Sequence, residues 1–93
     1  MSSDLILAAT SLDPIERRFA IRRLGEARSP EAVTALLFAL GTADPETADA
    51  AVEALVRIGS PAEGAMRAAL DREVDDAVRA RLVDALTRLQ QGD

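Results

Sequence analysis

The chain contains no cysteine, histidine, lysine, tyrosine or tryptophan, and its only aromatic residues are Phe19 and Phe38. Those absences remove thiolate and imidazole metal ligands, Schiff-base lysines, and the commonest nucleophiles and general bases. Carboxylates, hydroxyls and arginine are what remains for chemistry. Without cysteine there is no disulfide framework and no clue to a redox compartment. The apolar run at 5–9 is too short to span a bilayer, and residues 1–4 lack the basic start of a secretory leader, so a cytoplasmic protein with no membrane association is expected. Glycines stand singly at 25, 41, 59, 64 and 92, which excludes a glycine-rich phosphate loop. The acidic run Asp71, Glu73, Asp75, Asp76 lacks the spacing and turn glycine of a calcium loop. The sequence therefore predicts no catalytic residue, no metal and no cofactor.

What is present is a chain of 93 residues, 48% hydrophobic and 29% charged, with nineteen alanines. That composition is globular, and the length suits one domain with a modest core. Eleven arginines against sixteen acids give a net charge of −5, which argues against a nucleic-acid partner because phosphate contacts require local positive charge. The charges are unevenly distributed. Residues 13–28 carry five arginines against three acids, whereas 29–56 carry five acids and no base.

The chain repeats itself at a period of 31 residues. The shift places Asp13-Pro14 on Asp44-Pro45 and Asp75-Asp76, Ile21 on Val52 and Val83, Leu24 on Leu55 and Leu86, and Ser29-Pro30 on Ser60-Pro61. Six of eighteen positions are identical between 13–30 and 44–61. Asp-Pro and Ser-Pro each supply a helix N-cap followed by proline in the first turn, so every unit reads as two helices. The predicted helices are 3–11, 14–27, 30–41, 45–58, 61–71 and 76–90, with Gly25, Gly41 and Gly59 near C-terminal ends. Short loops make consecutive helices antiparallel. Val33, Leu36, Leu37 and Leu40 form one amphipathic stripe, and no segment alternates with period two. The expected fold is all-α, an α-solenoid of antiparallel helix pairs with five to six helices. It forms a single domain over 1–93, comprising a half repeat at 3–12, repeats at 13–43 and 44–74, and a half repeat at 75–91.

The runs at 16–25 (ERRFAIRRLG) and 78–86 (VRARLVDAL) resemble the first helix of HEAT-like repeats, especially the short variety found in phycobilin lyases. Ser29-Pro30-Glu31-Ala32-Val33 with Leu36, Leu37 and Leu40 resembles the second helix of the same unit. The middle unit departs from the pattern, with Ala48 in place of the repeat's arginine and Val56 in place of its glycine. The resemblance implies a non-catalytic module that binds or scaffolds a protein partner through the solenoid face. The alternative it leaves open is an accessory or subunit of a HEAT-repeat enzyme system, phycobilin-lyase-like or nucleic-acid-related.

The 31-residue shift puts Leu7, Phe38 and Ala68 in one row, a candidate partner-binding face, and Arg18 and Arg22 could add a basic patch. Arg17 and Arg79 occupy the repeat's arginine position, where a structural role is expected, with Asp13, Asp44 and Asp75 as recurring acceptors. The chain opens on a second-type helix and closes on a first-type one. Apolar flanks, Leu5, Ile6 and Ala9 at one end and Val78, Leu82, Val83 and Leu86 at the other, would let copies associate through the terminal helices unless residues 1–3 and 90–93 shield them.

Overall fold

Four of the five described helices start where the capping sequences put them. The computed structural model describes residues 7–41 and 44–91. It contains α1 (Pro14–Ala27), α2 (Pro30–Ala39), α3 (Pro45–Ile58), α4 (Ser60–Arg72) and α5 (Asp76–Gln91), and no strand among the described residues. Asp13 accepts the Ile15 amide at 3.0 Å, Asp44 the Glu46 amide at 3.1 Å, and Asp75 the amides of Ala77 and Val78. Each carboxylate thus satisfies amides that the first helical turn leaves without partners. Of the helix expected at 3–11, residues 3–6 lie outside the described residues; Leu7 and Ala8 are helical and the chain turns at Ala9 and Thr10.

One helix start differs from the sequence reading. Ser29 caps α2 by accepting the Ala32 amide at 3.1 Å, but its repeat equivalent Ser60 is itself the first residue of α4. The cap position there belongs to Gly59, which supplies no side-chain bond. Gly59 has φ +80°, a conformation that favours glycine, and this one residue joins α3 to α4. Gly25 does stand near the end of α1, but it does not close the helix: the left-handed residue after it is Arg28, at φ 56°. A Cβ on Gly25 would stand 2.9 Å from Ala54 Cβ, so this glycine serves the close approach of α1 to α3.

The helices form two layers. In the first, α3 lies between α1 and α5; in the second, α2 packs beside α4, and each helix also packs on its chain neighbours. This arrangement explains why α3 is buried over most of its circumference, with Ala48, Ala51, Val52, Ala54, Leu55 and Ile58 all in the core. Ile21, Leu24, Leu36, Leu40, Leu55, Met66 and Leu82 are the large, fully buried side chains that fill the space between the layers. The α1–α3 contact is the more extensive of the two in the first layer. Gly25 permits it, whereas Val56 stands at the equivalent place in α3.

Candidate functional site

Arg17 ties the first repeat to the second. Its Nη1 donates to the Ser11 carbonyl at 2.7 Å, its Nε to Thr47 Oγ1 at 3.2 Å, and its Nη2 to Asp44 Oδ2 at 2.9 Å. Thr47, the buried polar residue of the core, donates a hydrogen bond from its hydroxyl to Asp44, so donor and acceptor needs close on one another. Asp44 is consequently held below its ordinary pKa of 3.8, at about 2, first by the Thr47 hydroxyl and then by the Arg17 guanidinium. Arg79 makes the first of these contacts at its own place, Nη1 donating to the Glu73 carbonyl at 3.1 Å and to the Leu70 carbonyl at 2.8 Å. It meets backbone carbonyls, whereas sequence reasoning had an aspartate as its candidate acceptor. In the middle repeat Ala48 replaces the arginine, and the residue equivalent to Thr47 is Val78. The polar pair has become an apolar one, and both residues are buried.

Arg18 and Arg22 are not alike. Arg18 pairs with Glu46 across the α1–α3 contact. Arg22 is exposed and borders a small groove with Ala50, Glu53, Ala54 and Arg57. The basic patch expected from both therefore reduces to Arg22, with Arg23 nearby stacked over Phe19 at 5.9 Å.

Phe38 is 76% exposed on α2, on the side away from the buried Val33, Leu36 and Leu40. It stands on the rim of a groove of about 500 Å³ lined by Ala9, Thr10, Glu31, Thr34, Ala35 and Ala39, and of two further grooves that flank α2. One, of about 520 Å³, is bordered by Ser11, Leu12, Leu37, Glu73, Asp75 and Val78. The other, of about 510 Å³, runs between α2 and α4 and includes Thr34, Ala65, Ala68 and Ala69. Phe38 and Ala68 thus meet in one groove, while Leu7 is exposed but borders none of them. Leu12 was not singled out from the sequence, because it sits in a connection without periodicity. Its signal is the repeat itself, which places the equally exposed Val74 at the equivalent position.

The apolar flanks expected at the ends look different in the structure. Leu5 and Ile6 lie outside the described residues, and Ala9, Val78, Leu82 and Leu86 are buried. The exposed apolar side chains at the ends of the first layer are Ile15 and Phe19 on α1 and Val83 on α5.

Among the described residues, no three metal-ligating side chains gather, and no helix is long and apolar enough to cross a membrane. Comparison with protein families gives a match to HEAT repeats over residues 2–89. The chain belongs to the HEAT-repeat family, and its all-helical, layered structure is consistent with that. HEAT repeats commonly mediate protein–protein interaction, and proteins built from them are generally non-catalytic scaffolds. Among curated proteins, none matches this chain.

Proposed function

We propose that this chain is a non-catalytic, cytoplasmic protein-binding module whose partner docks on the face carrying Phe38. The supporting observation is the position of that ring: a large apolar side chain, mostly exposed, on the rim of grooves whose exposed surface is mostly apolar. An exposed aromatic beside an apolar groove is the kind of anchor on which binding energy concentrates. Leu12 and Ala68 extend the contact to either side, and Glu73 and Asp75 favour a partner whose apolar residue is flanked by basic ones. Arg22 offers a separate cationic contact, and Arg18 serves the fold through Glu46. Asp13, Asp44 and Asp75 act as caps and Arg17 and Arg79 as ties between helix and connection. This reading treats the chain as one domain of two repeats, 13–43 and 44–74, between half repeats at 3–12 and 75–91.

Peptide display on the full chain, followed by titration of the selected peptides, tests the proposal. Phe38→Asp is expected to abolish binding while leaving far-UV helicity and melting temperature nearly unchanged. Peptides that bind Phe38→Asp as tightly as the parent chain would overturn it.

A further inference from the structure

Positions equivalent under the repeat are not equally buried. Ile21 is 0% exposed, Val52 is 3%, and Val83 is 49% exposed. The first two are covered because another first-type helix follows, and beyond α5 among the described residues there is none. At the opposite end of the layer, Ile15 and Phe19 of α1 are 73% and 59% exposed. The residues equivalent to them in α3, Glu46 and Ala50, lie along the junction with α1. The two exposed faces are therefore the two halves of the α1–α3 contact.

Carrying that contact forward, with α5 in the place of α1 and a second copy's α1 in the place of α3, gives a specific set of pairs. Arg17 on Asp44 becomes Arg79 on Asp13. Arg79 already repeats the carbonyl contact of Arg17, and Asp13 uses only Oδ1 for its cap. Arg22, which shares a groove with Glu53, becomes Asp84 beside Arg22 of the next copy. Glu26 near Arg57 becomes Arg88 near Glu26. In these last two pairs both signs reverse together, so attraction is kept. Arg18 on Glu46 becomes Ala80 on Ile15, an apolar pair, and Val83 comes to the side where Phe19 is exposed. The tight approach of Gly25 to Ala54 becomes Thr87 against Arg23, which makes the contact between copies looser than the one within a copy.

We infer that α5 of one copy stacks on α1 of a second copy, continuing the solenoid from molecule to molecule. The occupant of each exposed face is this same chain, chosen by charge complementarity at three pairs and by apolar side chains between them. Such a contact joins unlike surfaces, so it is head-to-tail and leaves one face of each kind free at the ends of any open series. The exposed charge pairs set register more than strength.

Sedimentation velocity of the full chain across a hundredfold concentration range tests this. The average mass is expected to rise with concentration in the parent chain and in Phe38→Asp, and to stay monomeric in Phe19→Asp and in Val83→Asp. An equimolar mixture of those two variants is expected to form a one-to-one dimer and nothing larger, because each retains one intact face. Arg22→Asp or Asp84→Arg alone is expected to weaken association at least severalfold, and the double variant to recover it. This second pair replaces exposed residues and so keeps the test valid if Phe19→Asp or Val83→Asp fails to fold. A parent chain that is monomeric throughout, association that survives Phe19→Asp, folded variants that do not complement, or a charge swap without recovery would each overturn the inference.

Discussion

At the residue scale, the chain shows how a polar junction is either completed or dispensed with. Arg17, Thr47 and Asp44 satisfy one another between the first and second repeats, whereas Ala48 and Val78, both buried, stand at the equivalent positions of the next junction. A half-completed set would leave a buried donor or acceptor unpaired, which costs more than either alternative. Asp44 makes the junction sensitive to acid. Its folded pKa lies below its ordinary value, so the stability it contributes is fully present above 3.8 and is lost as pH falls through about 2. Asp44→Asn retains a capping side chain and removes the charge, and so isolates this contribution. The variant is expected to melt several degrees below the parent chain near neutral pH, with the gap narrowing as pH is lowered from about 4 to about 2. A gap that stays constant over that window would show that the charge of Asp44 contributes nothing.

At the element scale, two Ser-Pro sequences in the same repeat register have different roles. Ser29 lies outside α2 in extended conformation, at ψ 157°, and its hydroxyl reaches the Ala32 amide. Ser60 has been drawn into α4, because Gly59 turns the chain in a single residue and starts the helix one position earlier. Ser29→Ala is accordingly expected to cost about 0.5–2 kcal/mol, the usual worth of a lost N-cap. Ser60→Ala is expected to remain within about 0.5 kcal/mol of the parent chain. Urea denaturation of the two variants side by side checks the contrast, and equal losses would contradict the assigned start of α4. Gly59 has no such latitude, since its positive φ strains any residue with a Cβ.

At the scale of the whole molecule, stability depends on α3, which packs against all four other described helices. A chain of this length is stabilised by roughly 5–14 kcal/mol in total. Leu55 is fully buried where the layers meet, and Leu55→Ala is expected to cost about 2–5 kcal/mol, a large part of that total. Leu89 is only partly buried near the end of α5, and Leu89→Ala is expected to cost about 1 kcal/mol. Thermal melts followed by circular dichroism distinguish these outcomes, and similar losses at the two positions would mean that the layers do not share one core. The grooves beside Phe38 lie on the surface of this framework, which is why Phe38→Asp is expected to leave it undisturbed.

The sequence by itself determined the helices and their order. Caps, prolines and apolar stripes act within a few residues of one another, and a 31-residue period repeats them, so the starts of α1, α2, α3 and α5 and the all-helical, layered fold were legible before any packing was known. The ends of the elements were less so, as Ser60 and the end of α2 at Ala39 show. What only the tertiary structure decided is which face of each helix is covered. Ile21 and Val83 occupy the same place in their repeats, and Ile15 and Phe19 read as part of an ordinary amphipathic helix. Their exposure depends on whether another helix lies across them, and a residue carries no record of its neighbours in space. The same limit applies to Arg18, whose partner is 28 residues away, and to Gly25, whose close neighbour is on another helix. Local propensity and periodicity fix the elements; the distances between elements, and therefore the grooves and the exposed ends, follow from how side chains of different size pack when the layers close.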